Sequence, residues 1–174
     1  MQAELECQPT INLEFSKTIL IHVLHVDDDS SLLEISKLIL LDLDCSFKID
    51  CACCVDEAFA KLAAGNYDVV VSDFEMPKKN GLQFLTQLRE QNIELPFILF
   101  TGKGREEVAI KALNLGADGY INKKGNPETV YGELSRCIRR SVAGKKTEEM
   151  IQTQNMILKG ITKSRIRRIK LGEK

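Results

Sequence analysis

The chain has 174 residues, 44% of them hydrophobic and 28% charged, which predicts one folded domain with extensions and excludes a disordered or collagen-like chain. Residues 144–174 carry nine Lys or Arg against three Asp or Glu, so the net charge of −1 divides into +6 for this tail and −7 for residues 1–143. The acidic charge of residues 1–143 argues against a domain that itself binds nucleic acid. No apolar run approaches the ~18–20 residues that cross a bilayer, and the acidic N-terminus differs from a basic signal peptide, so we expect a cytoplasmic protein without a membrane span.

Three segments differ in their sequence pattern. Residues 1–17 lack clear periodicity and are predicted to form an N-terminal leader. Within residues 18–143, an apolar run of strand length is followed by apolar residues at helical spacing, five times in succession. The predicted strands span residues 19–26, 47–53, 68–72, 96–100 and 118–122. Residues 144–174 form a basic tail with a partial helical stripe at Met150, Ile157 and Ile161.

Residues that favour helix ends mark the predicted helices. Ser30 is predicted to cap the first helix, Gly65 to end the second and Pro127 to begin the fifth. Apolar residues at helical spacing mark the first three helices: Leu32, Ile35, Ile39, Phe59, Leu62, Ala63, Leu82, Leu85 and Leu88. In the fourth and fifth helices the apolar residues are predicted to be buried: Val108, Ala112, Leu115, Val130, Leu134, Cys137 and Ile138. The alternation of strands and helices predicts an α/β fold, with a parallel sheet covered on both faces.

Polar residues follow the predicted strands, where open α/β sheets bind their ligands. They are Asp27, Asp28, Asp73, Thr101 and Lys123. Three carboxylates at one edge repel one another unless a cation is present, and hard oxygen ligands suit Mg²⁺ or Mn²⁺. A lysine and a hydroxyl group opposite the cation would hold the oxygens of a phosphoryl group. The sequence therefore predicts a phosphoryl-transfer site with a carboxylate nucleophile.

These strand-end residues, with Asp73 in Val-Ser-Asp-Phe-Glu-Met-Pro, resemble a receiver domain of two-component response regulators over residues 18–143. The resemblance implies a doubly wound, flavodoxin-like sheet of five parallel strands in the order 2-1-3-4-5. It implies that Asp73 accepts a phosphoryl group from a histidine kinase or phosphotransfer protein, so that the domain is a phosphoacceptor and not a classical enzyme. It also implies that Mg²⁺ is bound by Asp27, Asp28, Asp73 and the backbone carbonyl of Glu75, with Asp28 as the direct ligand of the acidic pair. Thr101 and Lys123 would contact the phosphoryl group, and Thr101 and Tyr120 would act as the conformational switch. Glu75 and Lys103 would control the access of the attacking water.

The resemblance also concerns partners and one departure from the family pattern. The fourth helix, fifth strand and fifth helix are expected to bind an output protein or a second receiver. Lys124 stands where receivers usually carry a proline in a cis bond. Because a cis bond without proline costs ~2.5–4 kcal/mol, we expect a trans or strained peptide, with a small displacement of Lys123.

Three alternatives stay open. A magnesium-dependent phosphatase of the haloacid dehalogenase type would use the same aspartyl nucleophile, but such enzymes carry a second Asp where this chain has Glu75. A flavodoxin-like binding module conflicts with the acidic strand ends, which would repel a flavin phosphate. The chain is alternatively the receiver part of a hybrid sensor kinase.

The residues outside this pattern are interpreted as structural. The six cysteines are expected to be small buried thiols, and His22 and His25 to be core histidines with satisfied hydrogen bonds. The basic run 163–170 is interpreted as a solvated connector or a contact for the acidic body, in preference to a nucleic-acid or membrane-surface patch. We expect no sequence-specific binding of nucleic acid.

Overall fold

The structure, a computed structural model, describes residues 20–102 and 106–170, with side chains as far as residue 159. The predicted leader and Lys103 lie outside the described residues. The elements in chain order are β1 (Ile21–Val26), α1 (Ser30–Leu43), β2 (Phe47–Ala52), α2 (Val55–Ala64), β3 (Val69–Ser72), α3 (Gly81–Glu90), β4 (Phe97–Thr101), α4 (Glu106–Asn114), β5 (Gly119–Asn122) and α5 (Pro127–Lys170). No described helix is both long and apolar enough to cross a bilayer.

The five strands form one parallel sheet in the order β2-β1-β3-β4-β5, which confirms the predicted topology. Successive side chains of a strand point to opposite faces, so apolar residues at every position of a strand supply two cores. One core joins the sheet to α1 and α5, and the other joins it to α2, α3 and α4. Both faces of the sheet are thereby covered, and its carboxyl edge is left for a site.

The start of α1 differs from the prediction, because Asp29 and not Ser30 caps the helix. The Asp29 carboxylate accepts hydrogen bonds from the backbone N–H groups of Ser31 and Leu32 at 3.0 and 3.1 Å. A carboxylate in this position satisfies two backbone donors and favours the positive end of the helix dipole. The third residue of the Asp-Asp-Asp run is therefore structural.

The buried sides of α1 and α4 differ from the apolar spacing of the sequence. The buried residues of α1 are Leu33, Ser36 and Leu40, whereas Ile35, which belongs to the apolar residues at helical spacing, is 52% exposed. In α4 only Ala112 is buried, and Leu115 is exposed beyond the end of the helix. The α5 prediction is confirmed: its four apolar residues of the predicted stripe are buried, namely Val130, Leu134, Cys137 and Ile138.

The expectation of buried cysteines is wrong for most of the described ones. All are free thiols, and among them only Cys137 is buried, while Cys45 and Cys53 are exposed. Cys53 lies one residue beyond the end of β2, where the core no longer covers the chain. Burial raises the pKa of the Cys137 thiol above its ordinary value.

The two histidines of β1 occupy different environments, and neither is a satisfied core histidine. His22 is partly exposed; its ring nitrogens lie 2.9 Å from Asp50 Oδ2 and 2.6 Å from the Asn66 carbonyl oxygen. His25 is fully buried, and neither of its ring nitrogens has a hydrogen-bond partner within the described part of the chain. The sequence interpretation therefore fails on burial for His22 and on hydrogen bonding for His25.

Candidate functional site

Parallel pairing brings the ends of four strands to one edge of the sheet. Val26 of β1 lies beside Ser72 of β3, so Asp27 and Asp73 emerge next to each other. The Asp73 N–H donates to the Val26 carbonyl at 2.8 Å and fixes this register. Thr101, at the end of β4, pairs with Asn122 of β5, and Lys123 follows directly. The structure thus gathers Asp27, Asp73, Thr101 and Lys123 as predicted.

Lys123 lies between the two buried carboxylates. Its Nζ atom is 2.7 Å from Asp73 Oδ1 and 2.5 Å from Asp27 Oδ2, and all three side chains are at most 15% exposed. The ammonium group also stands over the Phe100 ring, 5.3 Å from its centroid. In a partly buried setting an attraction between opposite charges is screened less than at the surface. The lysine therefore draws the two carboxylates together.

The loop after β3 holds the Asp73 carboxylate in place. The Glu75 N–H donates to Asp73 Oδ2 at 2.5 Å, so both oxygens of Asp73 are engaged. The loop closes where the Gly81 N–H donates to the Phe74 carbonyl. A Cβ atom on Gly81 would lie 2.3 Å from the Asp73 carbonyl oxygen, so this close approach needs glycine. Asn80 then begins α3 with a capping box.

The other candidate residues differ in their position around this pair. Thr101 is buried at the end of β4. Tyr120 is half-buried against the core on the α4 side, and burial raises the pKa of its hydroxyl group. Asp28 is exposed beside Asp27, and Glu75 is exposed in the loop after Asp73. Lys103, which the resemblance assigns with Glu75 to the control of the attacking water, lies outside the described residues, so this shared role stays a prediction.

The donor set at this edge fits a divalent cation. Two buried carboxylates converge on one positive charge, and a third carboxylate, Asp28, adjoins them from the solvent side. Hard oxygen donors of this kind are the ligands that Mg²⁺ takes in proteins, together with water. Within the described residues no group of three His, Cys, Asp or Glu side chains is arranged as a metal site, and the Lys123 ammonium group stands between Asp27 and Asp73.

The peptide between Lys123 and Lys124 is trans, the first of the two outcomes expected for a lysine in place of proline. The Lys124 N–H donates to Asn122 Oδ1 at 2.9 Å, and the Lys123 N–H donates to the Thr101 carbonyl at 2.9 Å. A backbone donor that proline lacks thus stabilises the turn after β5. The Lys123 side chain still reaches both carboxylates.

Sequence reasoning missed His25 as a neighbour of the site. It lies two residues before Asp27 on β1, and its ring is 6.2 Å from that of Phe100, which also underlies Lys123. Burial and then the charge of Lys123 lower the pKa of His25 from 6.5 to about 3, so the imidazole is neutral at pH 7. The signal in the sequence is its position near the end of β1, two residues before the acidic pair, among apolar neighbours.

Comparisons with known proteins agree with this geometry. Residues 23–135 match the family model of the response regulator receiver domain. The transcriptional regulatory protein DltR of Streptococcus agalactiae is 31% identical over 119 residues, which are 68% of this chain and 52% of that protein. PhoP of Bacillus subtilis, an alkaline phosphatase synthesis transcriptional regulatory protein, is 31% identical over 129 residues, covering 74% of this chain and 52% of PhoP. The chain spans about half the length of these curated relatives.

Solved structures show the same fold. A response regulator receiver domain protein from Clostridium thermocellum superposes with a TM-score of 0.65 and 28% identity, covering 74% of this chain and 98% of that one. The response regulator TrrA of Thermotoga maritima, solved in complex with Mg²⁺-BeF, gives a TM-score of 0.58 and 28% identity over 68% of this chain and 99% of TrrA. The chain belongs to the receiver domain family of two-component response regulators.

Proposed function

We propose that Asp73 is the phosphoacceptor of this receiver domain, and that its phosphoryl group comes from a phosphohistidine on a histidine kinase or phosphotransfer protein. One observation carries the proposal: two buried carboxylates at the strand ends share a single lysine ammonium group. A structural ion pair needs one carboxylate for one lysine, whereas the group of Asp27, Asp73 and Lys123 retains a net negative charge. Such an excess suits a site that also takes a cation.

The transfer exchanges one bond to phosphorus for another. An oxygen of the Asp73 carboxylate attacks the phosphorus, the bond from phosphorus to the kinase imidazole nitrogen breaks, and the nitrogen keeps the electron pair. Lys123 then pairs with an oxygen of the transferred group, and the Thr101 hydroxyl group binds another. Water later hydrolyses the acyl phosphate, and Glu75 with Lys103 controls the access of that water.

Mg²⁺ would be held by the carboxylates of Asp27, Asp28 and Asp73 and the backbone carbonyl of Glu75. When bound, the cation neutralises charge on the oxygens of the phosphoryl group. Lys123 currently compensates Asp27 and Asp73 together. With a cation beside these carboxylates, the ammonium group becomes available to the phosphoryl group, so the lysine and the metal act in complementary places.

The signal is a change in the surface formed by α4, β5 and α5. Thr101 lies at the end of β4 and Tyr120 in the neighbouring β5, where the registers of the two strands are fixed. Movement of Thr101 towards a phosphoryl group would alter the packing of Tyr120. Ile110 and Leu113 of α4 are more than half exposed nearby and offer apolar contact area. An output protein or a second receiver is the proposed partner of this surface.

The test is incubation of the full chain with Mg²⁺ and acetyl phosphate, followed by intact mass and peptide mapping. One added phosphoryl group on Asp73 is the expected result, and the Asp73→Asn variant is expected to gain none while keeping its fold. Asp42→Asn, which changes an exposed carboxylate of α1, is the matched control and should be labelled like the wild type. Labelling that persists in Asp73→Asn at another residue would overturn the assignment.

A further inference from the structure

The last helix continues far beyond the body that it covers. α5 has 44 residues, which at ~1.5 Å per residue makes it about 66 Å long. The last buried residue is Val142, and the base of the extension is held where Lys146 Nζ lies 3.3 Å from Asp68 Oδ1. Every residue from Thr147 to Lys159 is exposed. Glu149 and Gln152 line a groove beside Glu94 of the body, so this projecting part of α5 leaves the body completely only beyond Gln152.

The projecting part carries a stripe of large apolar side chains. Met150, Ile151, Ile157 and Leu158 are 64%, 51%, 57% and 60% exposed. The pairs 150/151 and 157/158 are seven residues, or about two helical turns, apart and so lie one above the other on the same side of the helix. We call these four residues the distal stripe. Gln154, which is also exposed, lies between the two pairs, so the distal stripe consists of two apolar pairs that are two turns apart. Large apolar side chains that are exposed on one side of a helix are typical of a surface that binds a partner.

The receiver body of the same chain does not cover the distal stripe. At about 100° per residue, the four side chains lie some 140–260° around the helix from Leu134, which is buried against the sheet. The stripe is thus on the side of α5 that faces away from the body. Met156, which is 70% exposed, lies only about 40° from Leu134 by the same count and is not part of the stripe.

The chemistry of the occupant follows from the charge beside the stripe. Between Lys159 and Lys170 the helix contains six Lys or Arg residues and no Asp or Glu. A second copy of the helix aligned in parallel would place two such segments side by side, and like charges repel. Nucleic acid would satisfy the cations but would leave Met and Ile side chains exposed. An anionic lipid surface satisfies both features, since it accepts apolar side chains below a layer of negative headgroups.

We propose that the projecting part of α5 lies in the surface of an anionic lipid bilayer, with the distal stripe in the acyl boundary and the basic segment at the headgroups. This helix would lie on the bilayer and not cross it, in agreement with the absence of a spanning helix among the described residues. The body, with its net charge of −7 over residues 1–143, is repelled by the same surface. Because the distal stripe faces away from the body, the body lies on the side of α5 that is opposite the bilayer. Receiver and membrane contact thus occupy opposite ends of one helix.

Co-sedimentation of the full chain with vesicles tests this proposal. Vesicles of phosphatidylcholine and phosphatidylglycerol are expected to bind at least about tenfold more protein than vesicles of phosphatidylcholine alone, because each Lys or Arg near an anionic surface strengthens binding about fivefold. High salt should remove most of this difference. The variant Ile151→Gln/Ile157→Gln should lose about tenfold in binding, because both side chains leave the acyl boundary. Met156→Gln is the matched control and should bind like the wild type.

Circular dichroism and the labelling of Asp73 show whether each variant keeps its helices and its site, so failure of the proposed phosphorylation is distinguished from failure of this inference. Equal binding of the wild type and the stripe variant to anionic vesicles would overturn the proposal, as would absence of binding at low salt. Sedimentation velocity measures whether the full chain dimerises, and titration with a DNA duplex measures whether the tail binds nucleic acid. A dimer that the stripe variant abolishes, without vesicle binding, would assign the stripe to a second copy; tighter binding to the duplex than to vesicles would assign the tail to nucleic acid.

Discussion

Replacing His25 with Leu should remove a large part of the acid sensitivity of this domain. The folded chain binds a proton on His25 with a pKa of about 3, whereas the unfolded chain binds it near 6.5. Protons therefore favour the unfolded state, so the stability is fully present above pH 6.5 and is lost as the pH falls towards 3. Lowering the pH from 7 to 5 should cost the wild type about 2 kcal/mol of unfolding free energy through this residue alone.

The variant should also be more stable at pH 7. Leucine has a volume close to that of histidine and removes two buried ring nitrogens that lack partners among the described residues, each of which costs about 1–3 kcal/mol when unsatisfied. Urea unfolding followed by circular dichroism at pH 7 and pH 5, with a chelator present so that metal binding does not contribute, measures both effects. If wild type and His25→Leu lose the same free energy between these pH values, the argument from burial is wrong.

The remaining predictions concern the loop, the metal and the tail. Gly81→Ala should lower the free energy of unfolding by about 3 kcal/mol, because the new Cβ atom would lie 2.3 Å from a backbone oxygen. In the control variant Gly102→Ala the nearest atom would be 3.9 Å from the Cβ atom, so urea unfolding should show a change of less than about 0.5 kcal/mol. In a Mg²⁺ titration, Asp28→Ala should weaken binding more than Asp27→Ala, and equal affinity of wild type and Asp28→Ala would count against this metal site. Deletion of residues 145–174 should leave the phosphoryl labelling of Asp73 unchanged, because the proposed site precedes the tail. Gel-shift experiments should show no sequence-specific DNA complex for the full or the truncated chain. A sequence-specific DNA complex that resists salt and forms only with the full chain would contradict this prediction.

The parallel sheet and the gathering of Asp27, Asp73, Thr101 and Lys123 could be predicted because both depend on repeated patterns, whereas the strand order came from the resemblance to receiver domains. Apolar runs of strand length mark the strands, and the carboxyl ends of parallel strands necessarily meet at one edge. The position of Lys123 Nζ between both carboxylates could not be predicted, since a flexible four-carbon side chain selects its partners only in the folded structure. The same holds for the half-burial of Tyr120.

The helix cap, the buried side of α1 and the surroundings of His25 could not be predicted from the sequence alone. Ser30 and Asp29 are both good caps, and only the structure shows that the Asp29 carboxylate accepts the hydrogen bonds of the first turn. Ile35 fits a helical stripe as well as Leu33 does, but a shift of one residue turns a helix by about 100°, so spacing alone does not select the buried side. The lack of hydrogen-bond partners for His25 could not be predicted either, because the apolar pattern of β1 predicts burial of the ring but does not show which groups surround it.

The continuity of α5 gives this receiver a mechanical property. Residues Val130 to Val142 are anchored against the sheet, and the same unbroken helix runs on to Lys170. A helix is stiff over such a length, so a tilt of about 5° at the anchored end displaces a point some 40 Å further along by about 3–4 Å. The anchored end also lies beside β5, where Tyr120 repacks in the proposed switch. Since the anchored part is about 18 Å long, this tilt requires a shift of somewhat less than 1 Å at each of its ends, and the distal end of the helix moves about four times as far.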